Sequence, residues 1–220
     1  MRNALILLAV FLTAFGLYHL YRFITAPPYL PVAAAPIDPS GEPRQENLDG
    51  SVSFPLLFGK GRGILTVMAR YDIAARVEGV EHYYQKPQAA IAPDDICLSW
   101  GRLATADRQG KIRFSQSMRW CRYTVDSGAP FEPGYVTTHA ANVHLIYAND
   151  DLRRAVERLD QGDLVQLTGY LVYLDGSYER SPYHWHSSLS RDDNGNGACE
   201  LLYLLSLRQD DRLYGEPVEF

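Results

Sequence analysis

One uncharged apolar run at the amino terminus constrains this chain more than any other feature. Residues 4–17 read ALILLAVFLTAFGL, and Tyr18, Leu20 and Tyr21 prolong the run to Arg22. Counted from Asn3, about 19 residues precede that charge, close to the roughly 20 apolar residues a helix needs to span hydrocarbon. Tyr18 and Tyr21 suit the interface, where amphipathic rings settle. A cleaved signal has a shorter apolar core with small residues close behind it. Here the A-x-A-like site, Ala33-Ala34-Ala35, stands about 15 residues past the run. The reading is therefore an uncleaved anchor over residues 1–22. Arg2 lies on one side of it and Arg22 and Arg44 on the other, so charge counting orients it weakly. A short tail before one long domain favours placing that domain outside the cytoplasm.

Residues 23–60 read as a tether. Pro27, Pro28, Pro31, Pro36, Pro39 and Pro43 crowd its first part. Prolines at that density form neither a helix nor a central strand, so an extended, semi-rigid spacer is expected. The soluble domain is assigned to residues 61–212 and a tail to residues 213–220. Net charge is −5, and the three lysines, Lys60, Lys86 and Lys111, do not cluster. Nucleic-acid binding needs clustered cations to displace counterions, so no nucleic-acid partner is expected. The three cysteines, Cys97, Cys121 and Cys199, show no CxxC spacing. Outside the cytoplasm one disulfide with one thiol left over is allowed, and the sequence does not choose among the three pairings.

The domain reads as mainly β. Residues 64–78 carry enough alanine for a helix, yet Leu65, Val67, Ala69 and Tyr71 alternate like a strand, and strand is preferred at its start. Residues 96–103 form a strand, residues 107–110 a turn, residues 112–125 one long strand and residues 142–147 a short one. Leu152, Ala155, Val156 and Leu159 then fall on one helical face, with Asn149 as N-cap and Gly162 as stop. Residues 163–174 make a long strand with Gly169 at a bend, turned by Asp175-Gly176. Residues 199–207 make the last strand. The order strand, strand, strand, helix, strand, strand is that of the OB-fold. The expected fold is thus an OB-like five-stranded barrel with one short helix between strands 3 and 4, preceded by a transmembrane helix. Another small barrel or an α+β sheet is the alternative.

Trp100-Gly101, Ser117-x-Arg119-Trp120, Asn142-x-His144, the run from Gly162-Asp163 to Val172, and Trp185-x-Ser187-Ser188-Leu189-Ser190-Arg191-x-Asp193 to Cys199-Glu200 lie along residues 64–210. Together they resemble a family of uncharacterised bacterial single-pass membrane proteins. The resemblance implies bacterial origin and a membrane anchor, and no chemistry.

Candidate chemistry gathers in residues 183–200, YHWHSSLSRDDNGNGACE. His184 and His186 share one strand face and could ligate zinc or copper with His144, Asp192 or Asp193 as a third ligand. Asp192, Asn194, Asn196 and Gly197 match the first half of a calcium loop, with Glu200 at its ninth position, but Tyr203 stands where a bidentate Glu belongs. Ser187 and Ser188 beside a histidine supply parts of a nucleophilic triad, without the G-x-S-x-G elbow. Arg119, Trp120, Arg122 and Tyr123, with Trp100, offer an aromatic and basic face. Asn142 and His144 share a strand face that would join it. The residues expected to bind are Trp100, Arg119, Trp120, Asn142, His144, His186, Ser188 and Arg191.

These observations favour a non-catalytic, envelope-facing binding module without a cofactor, held in a bacterial inner membrane with its domain in the periplasm. Its partner would be a protein or a glycan. Two alternatives stand beside it: a metal- or serine-dependent hydrolase using His184, His186, Ser187 and Asp192, and a structural subunit of a membrane complex.

Overall fold

A computed structural model describes residues 2–105, 111–190 and 199–216. In chain order the elements are α1 Arg2–Ile24, β1 Leu30–Pro31, β2 Arg44–Asn47, β3 Ser53–Phe58, β4 Gly61–His82, a 3-10 turn Gln88–Ala90, β5 Asp94–Ser99, α2 Arg102–Thr105, β6 Ile112–Ser117, β7 Trp120–Val125, α3 Pro133–Thr138, β8 Ala140–Tyr147, α4 Asp150–Val156, β9 Leu164–Tyr178, β10 Ser181–His186, β11 Glu200–Gln209 and β12 Arg212–Gly215. The chain is mainly β, with an apolar helix at its start.

Within α1, Ile6–Ile24 is long and apolar enough to cross a membrane, and none of that span is buried in the protein. Only residues 25–29 separate α1 from β1. Arg158 on the domain donates from Nη2 to Thr25 Oγ1 at 2.8 Å, and Arg22 Nη2 donates back to the Arg158 carbonyl at 3.3 Å.

The core is built on β4. Leu65, Val67, Ala69, Tyr71, Ile73, Ala75 and Val77 are all buried and alternate along it. Period two resolves the helix-or-strand ambiguity of this segment in favour of strand, and a register shift between Val67 and Ala69 divides it, with Ala69 to Val77 in one core cluster and Leu65 in another. Each large aliphatic side chain so buried contributes about 1.5–3 kcal/mol. Pairings run β4–β5, β5–β8, β8–β11, β11–β9 and β9–β4, so they close on themselves. Strands β8 and β11 are parallel, and the other four pairings are antiparallel.

Five strands were expected, and here the sequence reading is corrected: the main sheet has ten, with β6 and β7 forming a separate two-stranded sheet. The additional five are β1, β2, β3, β10 and β12. Strands β1 and β2 are 2 and 4 residues long and mostly exposed, so neither leaves a hydrophobic period to read. The proline-rich stretch is extended, as expected, but it is no free spacer. Leu30 pairs with Leu213 on β12, and residues 44–47 and 53–58 pair with β4. Residues 213–215, read as tail, belong to β12.

The span at residues 112–125 is likewise not one strand. Met118 and Arg119 have φ of 54° and 67°, and the chain reverses there. Residues 107–110, expected as a turn, lie outside the described residues. Strand β9 does not stop at Leu174: it continues to Tyr178, and Glu179 and Arg180, with φ of 49° and 73°, make the turn into β10. Helix α4 keeps its expected cap and apolar face but ends at Val156, so Leu159 and Gly162 lie beyond it. The Asn149 side chain accepts from Leu152 N at 3.0 Å, and Leu152, Ala155, Val156 and Leu159 are buried. Gly169 lies where β9 pairs with Tyr71 on one side and Leu204 on the other. A Cβ there would overlap the Tyr203 carbonyl oxygen, so glycine permits the close approach of β11.

Candidate functional site

The polar centre of the domain lies on the outer faces of β5 and β8. Ile96, Leu98, Val143 and Leu145 point into the core. Alternation therefore turns Asp95, Cys97, Asn142 and His144 the other way. The β6–β7 hairpin covers them. A disulfide between Cys97 and Cys121, with Cα atoms 5.7 Å apart, fastens β7 to β5, and Cys199 remains a thiol. This is one of the three pairings the sequence left open.

Asp95 organises the centre. Its residue is 0% exposed. Arg119 Nη1 donates to its Oδ1 at 2.7 Å, and His144 Nδ1 donates to the same oxygen at 2.7 Å. Asn142 Nδ2 donates to Oδ2 at 3.1 Å and to the Arg119 carbonyl at 3.2 Å. Gln116 from β6 donates to Asn142 Oδ1 at 3.0 Å. Asp95 and His144 are cross-strand partners, so register alone brings them together. A buried carboxylate is tolerated when charge and donors surround it, as here.

Aromatic rings flank the guanidinium. Arg119 lies 4.1 Å from the centroid of Tyr83 and 5.4 Å from that of Trp185, and its backbone N–H donates to Tyr83 Oη at 2.8 Å. Trp185 also lies against His144, with ring centroids 4.9 Å apart. Burial raises the Tyr83 phenol above its ordinary value, which keeps it protonated as a donor or acceptor. The second guanidinium nitrogen, Nη2, is buried and has no partner among the described residues. Above this group opens a cleft of about 720 Å³, lined by Arg119, Trp120, His144, Trp185, His184 and His186, with Tyr83, Gln85 and Gln88 on one rim.

The neighbouring carboxylate, Asp94, is satisfied separately. His82 Nδ1 donates to its Oδ1 and Tyr147 Oη to its Oδ2, each at 2.6 Å. The Asp94 hydrogen bond raises the His82 imidazole above its ordinary value, while burial, with Asp94 beside it, holds the Tyr147 phenol well above its own.

A third group lies on the β9–β10 hairpin. His184 Nδ1 and His186 Nε2 donate to the same Oδ1 of Asp175, at 2.6 and 2.9 Å. His184 is the cross-strand partner of Asp175. Hydrogen bonds from His184 and then His186 hold the Asp175 carboxyl below the ordinary carboxylate value.

Of the residues read from sequence, Arg119, Trp120, His144, His184 and His186 line the cleft, and Asn142 joins them through its hydrogen bond to Asp95. Trp100 does not join them. It is buried in the core, and its Nε1 donates to Glu42 at 2.9 Å. Ser188 is buried, and its Oγ donates to the Ser190 carbonyl at 3.1 Å. The Ser187 hydroxyl donates to the Ser188 carbonyl and accepts from Leu201 N, so it serves the local chain path. Glu200 is buried on β11 beside Val143. Arg191, Asp192, Asp193, Asn194 and Asn196 lie outside the described residues, and with them most of the expected calcium loop. Asp95, Tyr83, Trp185 and Asp175 were not singled out. An aspartate facing a histidine in register was the available signal for Asp95, and only the hairpin turn at Glu179–Arg180 could have pointed to Asp175. No known protein family, curated protein or solved structure matches this chain.

Proposed function

We propose that this protein is a membrane-tethered, non-catalytic binding module, and that its ligand enters the cleft over Arg119. The observation that carries this reading is Arg119, which lines a cleft together with Trp120 and Trp185 and whose buried Nη2 is a donor with no partner among the described residues. A buried donor costs free energy until an acceptor reaches it. A carbonyl, carboxylate or hydroxyl oxygen on a ligand would meet that need, and Trp120 and Trp185 would supply stacking area.

The placement of the cleft supports an OB-like identity for the closed strand cycle. Taken in that frame, β4, β5, β8, β9 and β11 stand for strands 1 to 5, and α4 lies between the third and fourth. OB barrels bind ligands on the face of strands 2 and 3 and on the loops joining strands 1–2 and 4–5. Here His144 comes from the third strand, Tyr83, Gln85 and Gln88 from the first of those loops, and His184, Trp185 and His186 from the second.

The anchor, the short linker of residues 25–29 and the Cys97–Cys121 disulfide favour a bacterial inner-membrane protein with its domain in the periplasm, where disulfides persist. The partner is an envelope protein or glycan. The test compares full-length protein with Arg119→Lys, which keeps charge and loses the planar fork. Each is incubated in detergent with isolated envelope glycan and, separately, with solubilised membrane proteins. Retention of one of these by the native protein, lost in a folded Arg119→Lys variant, is expected. No retention, or equal retention by both proteins, overturns the reading.

A further inference from the structure

We propose that Asp175, His184 and His186 form a site for a late first-row divalent metal ion, zinc or copper, on the β9–β10 hairpin. This goes beyond the binding reading and stands or falls without it.

The argument begins with register. His184 and His186 are two apart on β10, so both imidazoles leave the same face of the strand. Asp175 on β9 stands directly across from His184, and Tyr173 directly across from His186. All three donors therefore rise from one patch of a paired hairpin. Their ligand atoms lie within 4.8 Å of one another. In a tetrahedral zinc site with metal–nitrogen bonds near 2.0–2.1 Å, donor atoms sit about 3.4 Å apart. Small side-chain rotations close that difference.

Convergence is already built. Both imidazole nitrogens aim at one oxygen, Oδ1 of Asp175. The two rings are nearly perpendicular, at 81°, with centroids 6.3 Å apart. His186 is stacked on Tyr173 with centroids 4.2 Å apart and planes 11° apart, which fixes its ring. A metal ion would take the place of the two N–H protons now shared with the carboxylate. Each ligating nitrogen must present its lone pair to the ion, so the proton it now donates to Asp175 must leave that nitrogen.

The donor set selects the ion. Two imidazole nitrogens and one carboxylate oxygen suit zinc or copper, whereas calcium takes six to eight oxygens. Three protein ligands leave at least one coordination position open. His184 and His186 line the same cleft as Arg119, so an ion held here would stand at its rim.

The experiment uses full-length protein in detergent, purified without a histidine tag and stripped of metal. Zinc is titrated by calorimetry, and copper binding is followed by electron paramagnetic resonance. One equivalent of zinc is expected, with tighter binding at neutral pH than in mild acid, and copper signals showing nitrogen coupling. Removing one ligand, by His184→Ala, His186→Ala or Asp175→Asn, should weaken zinc binding at least about tenfold. His82→Gln, at a residue outside this cleft, should leave it unchanged. The hairpin side chains are 62%, 46% and 49% exposed, so these substitutions leave the core intact. Less than one equivalent of zinc in the native protein, or equal affinity in the His184→Ala/His186→Ala double variant, overturns the site.

Discussion

Arg119 Nη1 lies 2.7 Å from Oδ1 of Asp95, so the turn of the β6–β7 hairpin is fixed to a fully buried carboxylate on β5. The charge pair does more than join two elements. It holds the guanidinium beside Tyr83 and Trp185, in the lining of the cleft. Removing Asp95 would leave a largely buried Arg119 and His144 without their acceptor. Asp95→Ala is therefore expected to destabilise the domain by about 3–5 kcal/mol. Equilibrium unfolding in urea, followed by tryptophan fluorescence, measures it.

The disulfide should matter to the same hairpin. Cys97 and Cys121 are 24 residues apart. A crosslink closing a loop of that size contributes about 3 kcal/mol, mainly by restricting the unfolded chain. The Cys97→Ser/Cys121→Ser variant is expected to lose stability of that order and to loosen the hairpin over Asp95. In the native protein, denatured without reductant, alkylation should modify one thiol, Cys199. After reduction it should modify three. Mass spectrometry distinguishes the two results.

Helix α4 shows what the sequence disclosed well. Its Asn149 cap and the apolar face of Leu152, Ala155 and Val156 are local features and occur where the pattern put them, whereas the helix ends at Val156 with Glu157 as its cap, short of the expected stop at Gly162. The β6–β7 hairpin shows the opposite. Its turn residues, Met118 and Arg119, both adopt positive φ without glycine or asparagine, so no turn chemistry marks the reversal. That hidden turn is what carries Arg119 to Asp95. The site followed the same divide. Arg119, His144 and His186 could be named as residue types on strands. Their partners Asp95 and Asp175 become visible only once it is known which residues meet across strands.

A pH effect follows from His82 and Asp94. The Asp94 carboxylate raises the His82 imidazole, so the protonated form is favoured in the folded state. A raised value means the pair's contribution is fully present below the ordinary histidine value of 6.5 and is lost as pH rises through the folded value. As pH rises above 6.5 the native protein should lose stability relative to His82→Gln. Unfolding midpoints for both proteins across that range give the answer, and the His82 resonance in an NMR titration should move at higher pH than free histidine.

Gly169 offers a test of the strand cycle. Any Cβ at this position meets the Tyr203 carbonyl, where β9 pairs with β4 and β11 together. Gly169→Ala should cost about 1–3 kcal/mol, as overpacking does. Gly134→Ala, in α3 with open space around it, is the matched control and should cost little.

The most direct test of the binding cleft is photocrosslinking in intact cells. Met118 is 80% exposed and lines the cleft beside Arg119. With a photoreactive residue replacing Met118, a discrete adduct to one envelope protein or glycan is expected. Arg119→Lys should abolish it while the protein stays folded. The absence of any adduct, or an adduct indifferent to Arg119→Lys and to Trp185→Ala, would contradict a ligand site over Arg119.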